Sequence, residues 1–392
     1  MYTGLVLLLP LLVYSLRPSQ AINPDASRDF LALCSSKNYT VRSYYVTTAD
    51  GYILNMFRIG AKNAGVLNEG KVPVLLQHGL VDSSDTWIIN SEELAPGFIL
   101  ANKLYDVWLG NSRGNKHSRN HTLLNPDTDP EFWDFSWQDM ADYDVPAQVN
   151  FVLQATNKAK LVYIGHSQGT TQLFAHLSDD QGFGTKLALA VMLAPVGSVK
   201  HQTSTLLRGL SHTSYLSIMQ YFGVNEQLPA VQSTFMYYVC RYVGWVCKGG
   251  LYLISDEDPD FDNSPQLPVI LTHFPAGTSL KDLQHWSQMT LATQSVVQRF
   301  NYPTPQLNYA HYGALTPPVF NLSNIKAPIA LFAGFADRLA DTTDVVWLSQ
   351  QIPANSIVWN RTDYPCGHVT FLWGANMTYF QDVLALIKQY AG

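Results

Sequence analysis

The sequence predicts an α/β fold in which helices cover both faces of a mostly parallel sheet. Short apolar runs recur along the chain and alternate with segments whose apolar residues have helical spacing. One of these runs, residues 161–164, passes through Gly165-His166-Ser167-Gln168-Gly169 directly into a helix-like segment at 170–177. The alternation stops between Pro195 and Asn321 and then resumes. We therefore expect one sheet-based core that carries a long insertion.

The first two predicted strands flank Ala49-Asp50-Gly51, a hairpin signal between Tyr44 and Ile59. Further strands are predicted at short apolar runs, and helices where apolar residues recur with helical spacing. In chain order these elements are strands Val72–Leu76 and Tyr105–Leu109, helix Met140–Leu153, strands Leu161–Ile164, Leu187–Leu193, Pro328–Ala333 and Ser356–Trp359, and a C-terminal helix from about Phe380 to Tyr390.

The insertion is predicted to be a cap. It is rich in Leu, Tyr, Phe and Met, and it follows a strand at the edge where ligands bind in open α/β sheets. A second globular domain is the alternative. The predicted organisation is a signal peptide at 1–21, a core formed by 22–195 and 322–392, and a mainly helical cap or lid at 196–321.

The composition excludes some functions. The chain has 392 residues, of which 47% are hydrophobic and 14% charged, and its formal charge is −6. This mild acidity and the lack of any basic run argue against nucleic acid as a partner. The aromatic content of 12% suits a protein that handles apolar ligands, but many protein cores have similar compositions.

The N-terminus and the glycosylation sequons indicate the secretory pathway. The run from Gly4 to Leu16 is apolar, and Ser19-Gln20-Ala21 resembles a signal-peptide cleavage site. No other stretch reaches the roughly 18 apolar residues of a membrane span. We expect a secreted or lysosomal protein with no transmembrane segment after signal removal. Sequons that would accept N-glycans lie at Asn38, Asn120, Asn321, Asn360 and Asn376.

The four cysteines fit a disulfide better than a metal site. Cys240 and Cys247 are close enough in sequence to close a small loop in an oxidising compartment, and Cys34 and Cys366 could also pair. No Cys-x-x-Cys or His-Glu-x-x-His occurs, so we expect neither a metal nor another cofactor. The acidic run Asp256–Asp262 begins like a calcium loop but lacks its required Gly and Glu, which predicts a solvated loop.

The chemistry is predicted from Ser167. A Gly-x-Ser-x-Gly between a strand and a helix is a nucleophile elbow, which in α/β-hydrolases precedes an acid and then a histidine along the chain. Asp337 follows the strand at 328–333, and His368 follows the last predicted strand. His368 would act as general base and then acid, and Asp337 would orient its imidazole. Asp341 is the alternative acid, although it could equally cap the next helix.

The negative charge on the attacked carbonyl oxygen needs two backbone N–H donors. The first is predicted to be Gln168, directly after the nucleophile. The second is predicted to be Leu80, in the loop after the strand at 72–76.

Several motifs resemble the acid lipase family, which includes gastric, lysosomal and insect members. They are Leu76-Gln77-His78-Gly79-Leu80, the run Tyr105–Asn115 (YDVWLGNSRGN), Gly165–Thr171, Pro275–Ser279 and His285-Trp286. The resemblance covers about Tyr44 to Leu386 and implies a capped α/β-hydrolase that cleaves triacylglycerols or sterol esters without a metal. It also implies Ser167, Asp337 and His368 as the triad, Leu80 and Gln168 as oxyanion donors, and a cap disulfide between Cys240 and Cys247.

The chain departs from this family near the histidine. Relatives commonly read Asn-His-x-Asp-Phe, whereas this chain reads Gly367-His368-Val369-Thr370-Phe371. A further cap cysteine of some relatives is replaced by Ser255. We therefore expect different support for His368, and we do not transfer the acyl preference of the family.

The resulting interpretation is a serine esterase that acts on lipid esters, with a lipid–water interface as its place of action. A lipid-binding or storage protein that has lost turnover is one alternative. A carboxylesterase for small soluble esters is another.

Overall fold

The computed structural model describes residues 22–212, 214–230 and 234–392. The predicted signal peptide, residues 1–21, lies outside the described residues. Within the described part of the chain, no helix is both long enough and apolar enough to cross a membrane.

An eight-stranded sheet forms the centre of the molecule, with the strand order β1-β2-β4-β3-β5-β6-β9-β10. The pairs β1–β2 and β2–β4 are antiparallel, and every other neighbouring pair is parallel. A small two-stranded sheet contains β7 and β8. The strands are β1 Tyr39–Thr47, β2 Ile53–Lys62, β3 Pro73–Gln77, β4 Asp106–Leu109, β5 Leu161–His166, β6 Leu187–Leu193, β7 Glu226–Gln227, β8 Thr278–Ser279, β9 Ile329–Gly334 and β10 Ile357–Tyr364.

Helices pack around this sheet and fill the interval between β6 and β9. They are α1 Phe30–Ser36, α2 Pro96–Asn102, α3 Trp137–Asp139, α4 Val145–Thr156, α5 Gln168–Asp179, α6 Thr205–His212, α7 Tyr215–Tyr221, α8 Thr234–Tyr242, α9 Gly244–Ile254, α10 Leu267–His273, α11 Leu280–Leu291, α12 Pro305–Tyr312, α13 Thr342–Gln351, α14 Thr370–Trp373 and α15 Phe380–Ala391.

The central parallel strands form the hydrophobic core. Every residue of β3, β5 and β9 is buried, as is nearly all of β6, because helices cover both faces of the sheet. The carboxyl ends of parallel strands meet at one edge of the sheet. Segments that follow β3, β5, β9 and β10 are therefore brought together there.

The predicted α/β architecture and its strands are confirmed, with small differences at the element ends. The hairpin strands extend to Tyr39 and Lys62. The predicted helix at 140–153 begins instead as a π-helical turn, Met140–Asp144, and becomes α-helical at Val145. Pro146 explains this start, because proline lacks an N–H and is accepted best in the first turn of an α-helix.

We call residues 196–321 the cap segment. Its described residues contribute no strand to the eight-stranded sheet and form helices α6 to α12. A disulfide between Cys240 and Cys247 joins α8 to α9. Several of its apolar side chains are exposed, namely Ile218, Tyr221, Phe222, Leu228, Phe235, Trp245 and Leu253.

Candidate active site

Ser167 stands at a sharp turn between β5 and α5. Its φ of 53° lies in the left-handed region, which is rare for a residue with a side chain. A hydrogen bond from the Thr170 hydroxyl to the Ser167 carbonyl oxygen, 2.6 Å long, stabilises this turn. The strained backbone lifts the Ser167 hydroxyl clear of the sheet edge at the start of a helix.

The two glycines of the elbow are required by close backbone contacts. A Cβ at Gly165 would lie 2.9 Å from the Gly169 carbonyl oxygen, and a Cβ at Gly169 would lie 2.6 Å from that of Gln77. Both distances are too short for a side chain, so the motif reflects packing around the turn.

The structure brings the three predicted triad residues together. The Ser167 hydroxyl is 2.7 Å from His368 Nε2, and His368 Nδ1 lies 3.0 and 2.9 Å from the two Asp337 carboxylate oxygens. Nδ1–H thus donates to Asp337, which leaves Nε2 free to accept the serine proton. Asp337 is held in turn by the N–H groups of Leu339 and Ala340, each at 2.8 Å.

His368 is buried, which by itself disfavours its charged form. The negative charge of Asp337, its hydrogen bond to the imidazole, and the charge of Asp256 together outweigh burial and raise the pKa of His368 above its ordinary value. The site therefore stabilises the imidazolium form of His368, which the predicted transfer of the Ser167 proton would require.

Asp341, the alternative acid, has a different place. Its carboxylate accepts a hydrogen bond from the Thr343 N–H at 2.7 Å and caps the N-terminus of α13. This is the helix-capping interaction that the sequence left open. The carboxylate that accepts the hydrogen bond from His368 Nδ1–H belongs to Asp337.

The predicted oxyanion donors border the nucleophile. A Cβ built on Gly79, which precedes Leu80, would lie 2.9 Å from the Ser167 Cβ, so the loop after β3 touches the serine. Gln168 is the first residue of α5, where an N–H has no acceptor within its own helix. Both positions can direct N–H groups at negative charge beside Ser167.

His78 anchors this loop, a role that sequence reasoning missed. Its Nδ1–H donates to the Gly79 carbonyl at 2.8 Å, and its Nε2 accepts from the Ser112 N–H and the Asn115 side chain, both at 3.0 Å. Burial lowers the pKa of His78 to about 4, so the ring stays neutral and can accept those bonds. The sequence signals were the closeness of His78, Ser112 and Asn115 to strand ends and their places in two of the motifs that resemble the acid lipase family.

His166 supports the loop that carries the base. Its Nε2–H donates to the backbone carbonyl of His368 at 2.8 Å. Burial, followed by the nearby His368, lowers the pKa of His166 to about 3, which keeps it neutral. The residue before Ser167 therefore helps to hold His368, the predicted base, in place.

The cap segment contacts residues beside both the triad and the predicted oxyanion donors. Trp286, on α11, donates its indole N–H to the side-chain oxygen of Gln168 at 2.5 Å. Asp256, which follows α9, accepts a hydrogen bond from the Val369 N–H next to His368 at 3.3 Å. The expectation of a solvated acidic loop is wrong for Asp256 and Asp262, because both are buried.

The remaining predictions concern the cysteines, a metal site and the glycosylation sequons. The Cys240–Cys247 disulfide is present, whereas Cys34 and Cys366 are free and buried. Among the described residues, no group of His, Cys, Asp and Glu is arranged to hold a metal ion. The five sequon asparagines, Asn38, Asn120, Asn321, Asn360 and Asn376, are all exposed.

Comparison with known proteins connects this site to lipases. A family model described as the alpha/beta hydrolase fold matches residues 72–375, and a partial alpha/beta-hydrolase lipase region matches residues 30–91. The chain is 36% identical to lipase member K of Mus musculus, with 94% of this chain and 92% of that protein covered.

Two further relatives are similar over the same extent. Gastric triacylglycerol lipase of Bos taurus and lysosomal acid lipase/cholesteryl ester hydrolase of Homo sapiens are each 35% identical, with 94% of this chain and 93% of the relative covered. In fold alone, the chain resembles naproxen esterase of Bacillus subtilis. That likeness has a TM-score of 0.50 and 13% identity, and it covers 93% of this chain and 99% of that one.

Proposed function

The chain belongs to the acid lipase family of α/β hydrolases and is an ester-hydrolysing serine hydrolase, and from that premise we propose that it cleaves lipid esters through an acyl-enzyme on Ser167. The observation that carries the proposal is the continuous hydrogen-bonded line from the Ser167 hydroxyl through His368 to Asp337. Serine is a weak nucleophile alone, and this line supplies the base it needs.

In the first half-reaction, Ser167 Oγ attacks the ester carbonyl carbon while His368 Nε2 takes the hydroxyl proton. The carbonyl oxygen becomes negatively charged and is stabilised by the N–H groups of Leu80 and Gln168. His368 then gives its proton to the departing alcohol oxygen, and the acyl group remains on Ser167.

In the second half-reaction, water enters where the alcohol has left. His368 takes a proton from that water, whose oxygen attacks the acyl carbon, and the same N–H groups stabilise the second oxyanion. The proton returns to Ser167 Oγ as the carboxylic acid leaves. Asp337 keeps the imidazole in the required tautomer in both steps.

Acylglycerols and sterol esters are the substrates we propose. The relatives are named as a triacylglycerol lipase and a cholesteryl ester hydrolase. Exposed aromatic and aliphatic side chains on the cap segment, among them Tyr221, Phe235 and Trp245, suit action at a lipid–water interface.

We further propose that the protein follows the secretory pathway and is secreted or lysosomal. The relatives include a gastric and a lysosomal lipase. The disulfide fits an oxidising compartment, and the exposed sequon asparagines are accessible to glycosylation.

The test is covalent labelling of the purified protein with a serine-reactive alkyl phosphonate, followed by mapping of the adduct. Ser167 is expected to carry the phosphonate, and Ser167→Ala is expected to lose both labelling and turnover. A protein that takes no label and hydrolyses neither short nor long esters would be a lipid-binding protein instead.

Substrate class is tested by comparing rates on a long-chain triacylglycerol emulsion, on tributyrin and on a soluble short-chain ester. We expect turnover of the emulsified substrates. Activity confined to the soluble ester would show a carboxylesterase and contradict the lipase assignment.

A further inference from the structure

A piece of the cap segment, residues 255–263, is built into the loops that carry the acid and the base. On the acid side, the Glu257 N–H donates to the Ala336 carbonyl at 2.8 Å, and the Arg338 N–H donates to the Ser255 carbonyl at 2.9 Å. These two bonds bracket Asp337 and pair Asp256 with it as in an antiparallel bridge.

The same piece runs along the base side. The Asn263 N–H donates to the Trp373 carbonyl at 2.7 Å, and the Ala375 N–H donates to the Phe261 carbonyl at 2.9 Å. The cap segment thus reaches both loops through backbone bonds that do not depend on side-chain identity.

The side chain of Asp256 points between the two loops. It is fully buried, and it accepts hydrogen bonds from the Ser255 hydroxyl at 2.8 Å and from the Val369 N–H at 3.3 Å. A Cβ at Gly367 would lie 1.9 Å from Asp256 Oδ1. Gly367 is therefore glycine because the Asp256 carboxylate occupies the space beside the catalytic histidine.

Asp262 supports the other side of the same loop. It accepts a hydrogen bond from the Thr370 hydroxyl at 2.8 Å, and the Thr370 oxygen accepts one from the Gly367 N–H at 3.0 Å. Carboxylates of the cap segment thus hold the run Gly367-His368-Val369-Thr370 at Val369 and Thr370, and the Thr370 hydroxyl in turn holds Gly367.

The charges around Asp256 are mostly negative. The groups that face it are Asp337, His368 and Asp262. The thiol of Cys366 also lies nearby, and burial together with the charges of Asp262, Asp337 and Asp256 raises its pKa. Lys248, on α9, favours the ionised form of Asp262. Burial and then the charge of Asp337 raise the pKa of Asp256 to about 7, although its hydrogen bond from Ser255 and the nearby His368 oppose that rise. In its ionised form, Asp256 favours the imidazolium form of His368.

We propose that Asp256 is a positioning residue through which the cap segment holds His368 in place and, by its negative charge, sets the pH range of turnover. The inference rests on the proposed function, since it assumes that His368 is the base for Ser167. Because Asp256 and His368 interact electrostatically, the charge of each one changes the proton affinity of the other.

The test compares Asp256→Asn with Glu257→Gln, its exposed neighbour, as the matched control. Asparagine keeps the volume and an acceptor oxygen for the Val369 N–H but removes the charge. The readout is the rate of Ser167 phosphonylation against pH, with the melting temperature measured in parallel. Labelling of Ser167 in the wild type establishes the proposed function independently of this comparison.

Without the neighbouring negative charge, the imidazolium form of His368 is less favoured. The acidic limb of the pH–rate profile, where the labelling rate falls as His368 is protonated, is therefore expected to lie about one pH unit lower in Asp256→Asn than in the wild type. The plateau rate is expected to fall about three- to tenfold. Glu257→Gln is expected to match the wild type in both measurements. A folded Asp256→Asn with the wild-type limb would overturn the proposal.

A gentler variant, Ser255→Ala, keeps the test decisive if Asp256→Asn does not fold. It removes only the hydroxyl that stabilises the Asp256 carboxylate, so less of Asp256 is ionised at a given pH. The acidic limb should move in the same direction by a smaller amount. A limb that stays in place or moves to higher pH would contradict the assignment.

Discussion

The sheet core and the cap segment differ in how far their apolar side chains are buried. The central strands bury theirs completely, and two of the proposed triad residues beside them are nearly inaccessible, with His368 3% and Asp337 5% exposed. The cap segment leaves large side chains in solvent, where Tyr221 is 85%, Phe235 76% and Trp245 75% exposed.

This contrast indicates that the core and the cap segment have different roles. The reacting groups sit on loops fixed by a close-packed core, where small displacements are costly. The cap segment reaches them through several contacts, which include Trp286 with Gln168 and Asp256 with the loop of His368. Changes in the core should therefore abolish chemistry, whereas changes in the cap segment should adjust it.

The largest effect is expected in the core, from Asp337→Asn. An asparagine cannot hold the His368 tautomer that leaves Nε2 free to accept a proton. The rate of ester hydrolysis should fall by about 10³- to 10⁴-fold. It can be measured on a soluble ester, with circular dichroism to establish folding.

Asp341→Asn is the matched control, because asparagine caps a helix as well as aspartate does. Its rate should remain within about twofold of the wild type. If Asp341→Asn were the more damaging substitution, the acid would have to be reassigned to Asp341.

The second effect is confined to the cap segment and follows from removing its disulfide with Cys240→Ala and Cys247→Ala together. A covalent link across seven residues restricts the open chain, and its loss should cost about 2 kcal/mol of local stability. Limited proteolysis near α8 and α9 should accelerate about 30-fold, which is that free energy expressed as a rate ratio.

The calorimetric transition of the sheet core should hardly move in the same double variant, because the disulfide joins only cap helices. Hydrolysis of an emulsified triacylglycerol should suffer more than that of a soluble ester. An equal loss of core stability would show that the two regions unfold as one unit.

The third effect tests the contact between the regions. Trp286→Phe keeps a ring against Trp137 but removes the hydrogen bond to Gln168, whose N–H is a proposed oxyanion donor. We expect kcat to fall about tenfold with little change in KM, because the bond orients a group that acts mainly in the transition state.

Trp359→Phe, on the edge strand β10, is the control for replacing a tryptophan, and it should leave kcat unchanged. The melting temperatures of the two variants should be similar. An unaltered kcat in Trp286→Phe would mean that the cap segment does not support the oxyanion site.

The same contrast explains what the sequence could predict. Central strands are continuous apolar runs, and the elbow of Ser167 is encoded in one short stretch of strand, turn and helix, so both were visible locally. Asp337 and His368 followed from their places after strands. Those signals all belong to the core.

The missed residues depend on contacts between distant parts of the chain. Asp256 and Asp262 lie in a run of alternating acids, which is typical of a solvated loop, and they are buried only because the segment packs against the loop of His368. Gly367 beside the base was the one local signal that a group occupies this space. Trp286 was noted for its resemblance to relatives, and its contact with Gln168 required the fold.

The smallest predicted effect is a change in local stability with pH, and it differs between the core and the cap segment. Burial raises the pKa of three cap carboxyls, Asp256 and Asp282 to about 7 and Asp262 to about 8, while it lowers that of one cap histidine, His285, to about 3. The core contains several carboxyls with a raised pKa and several histidines with a lowered pKa, among them Asp82, Asp142, Asp144, His78, His166 and His176.

The two kinds of group act in opposite directions. A carboxyl with a raised pKa holds a proton that the unfolded chain has lost, so its contribution to stability is fully present below its ordinary pKa of 3.8 and is lost as pH rises through the folded value. A histidine with a lowered pKa loses its contribution as pH falls below 6.5. In the core the two kinds of contribution oppose each other between about pH 4 and 6, whereas in the cap segment the raised carboxyls outnumber the lowered histidine.

Raising the pH from 5 to 8 should therefore loosen the cap segment more than the core. Amide hydrogen exchange, corrected for the intrinsic pH dependence of exchange, measures the opening of each region. The opening of α11 should increase about threefold relative to β5 and β6, a modest change because local opening admits water that stabilises the ionised carboxyls.

Asp282→Asn supplies the decisive comparison. Its carboxylate accepts hydrogen bonds from the Trp137 N–H and the Thr278 hydroxyl, both at 2.8 Å, and an asparagine can keep both contacts without titrating. The pH sensitivity of α11 should shrink in this variant, while that of β5 and β6 stays as in the wild type. If α11 loosened equally in both proteins, the buried carboxyl of Asp282 would not be the cause. The raised pKa values of the cap carboxyls would then not explain why the cap segment responds to pH differently from the core.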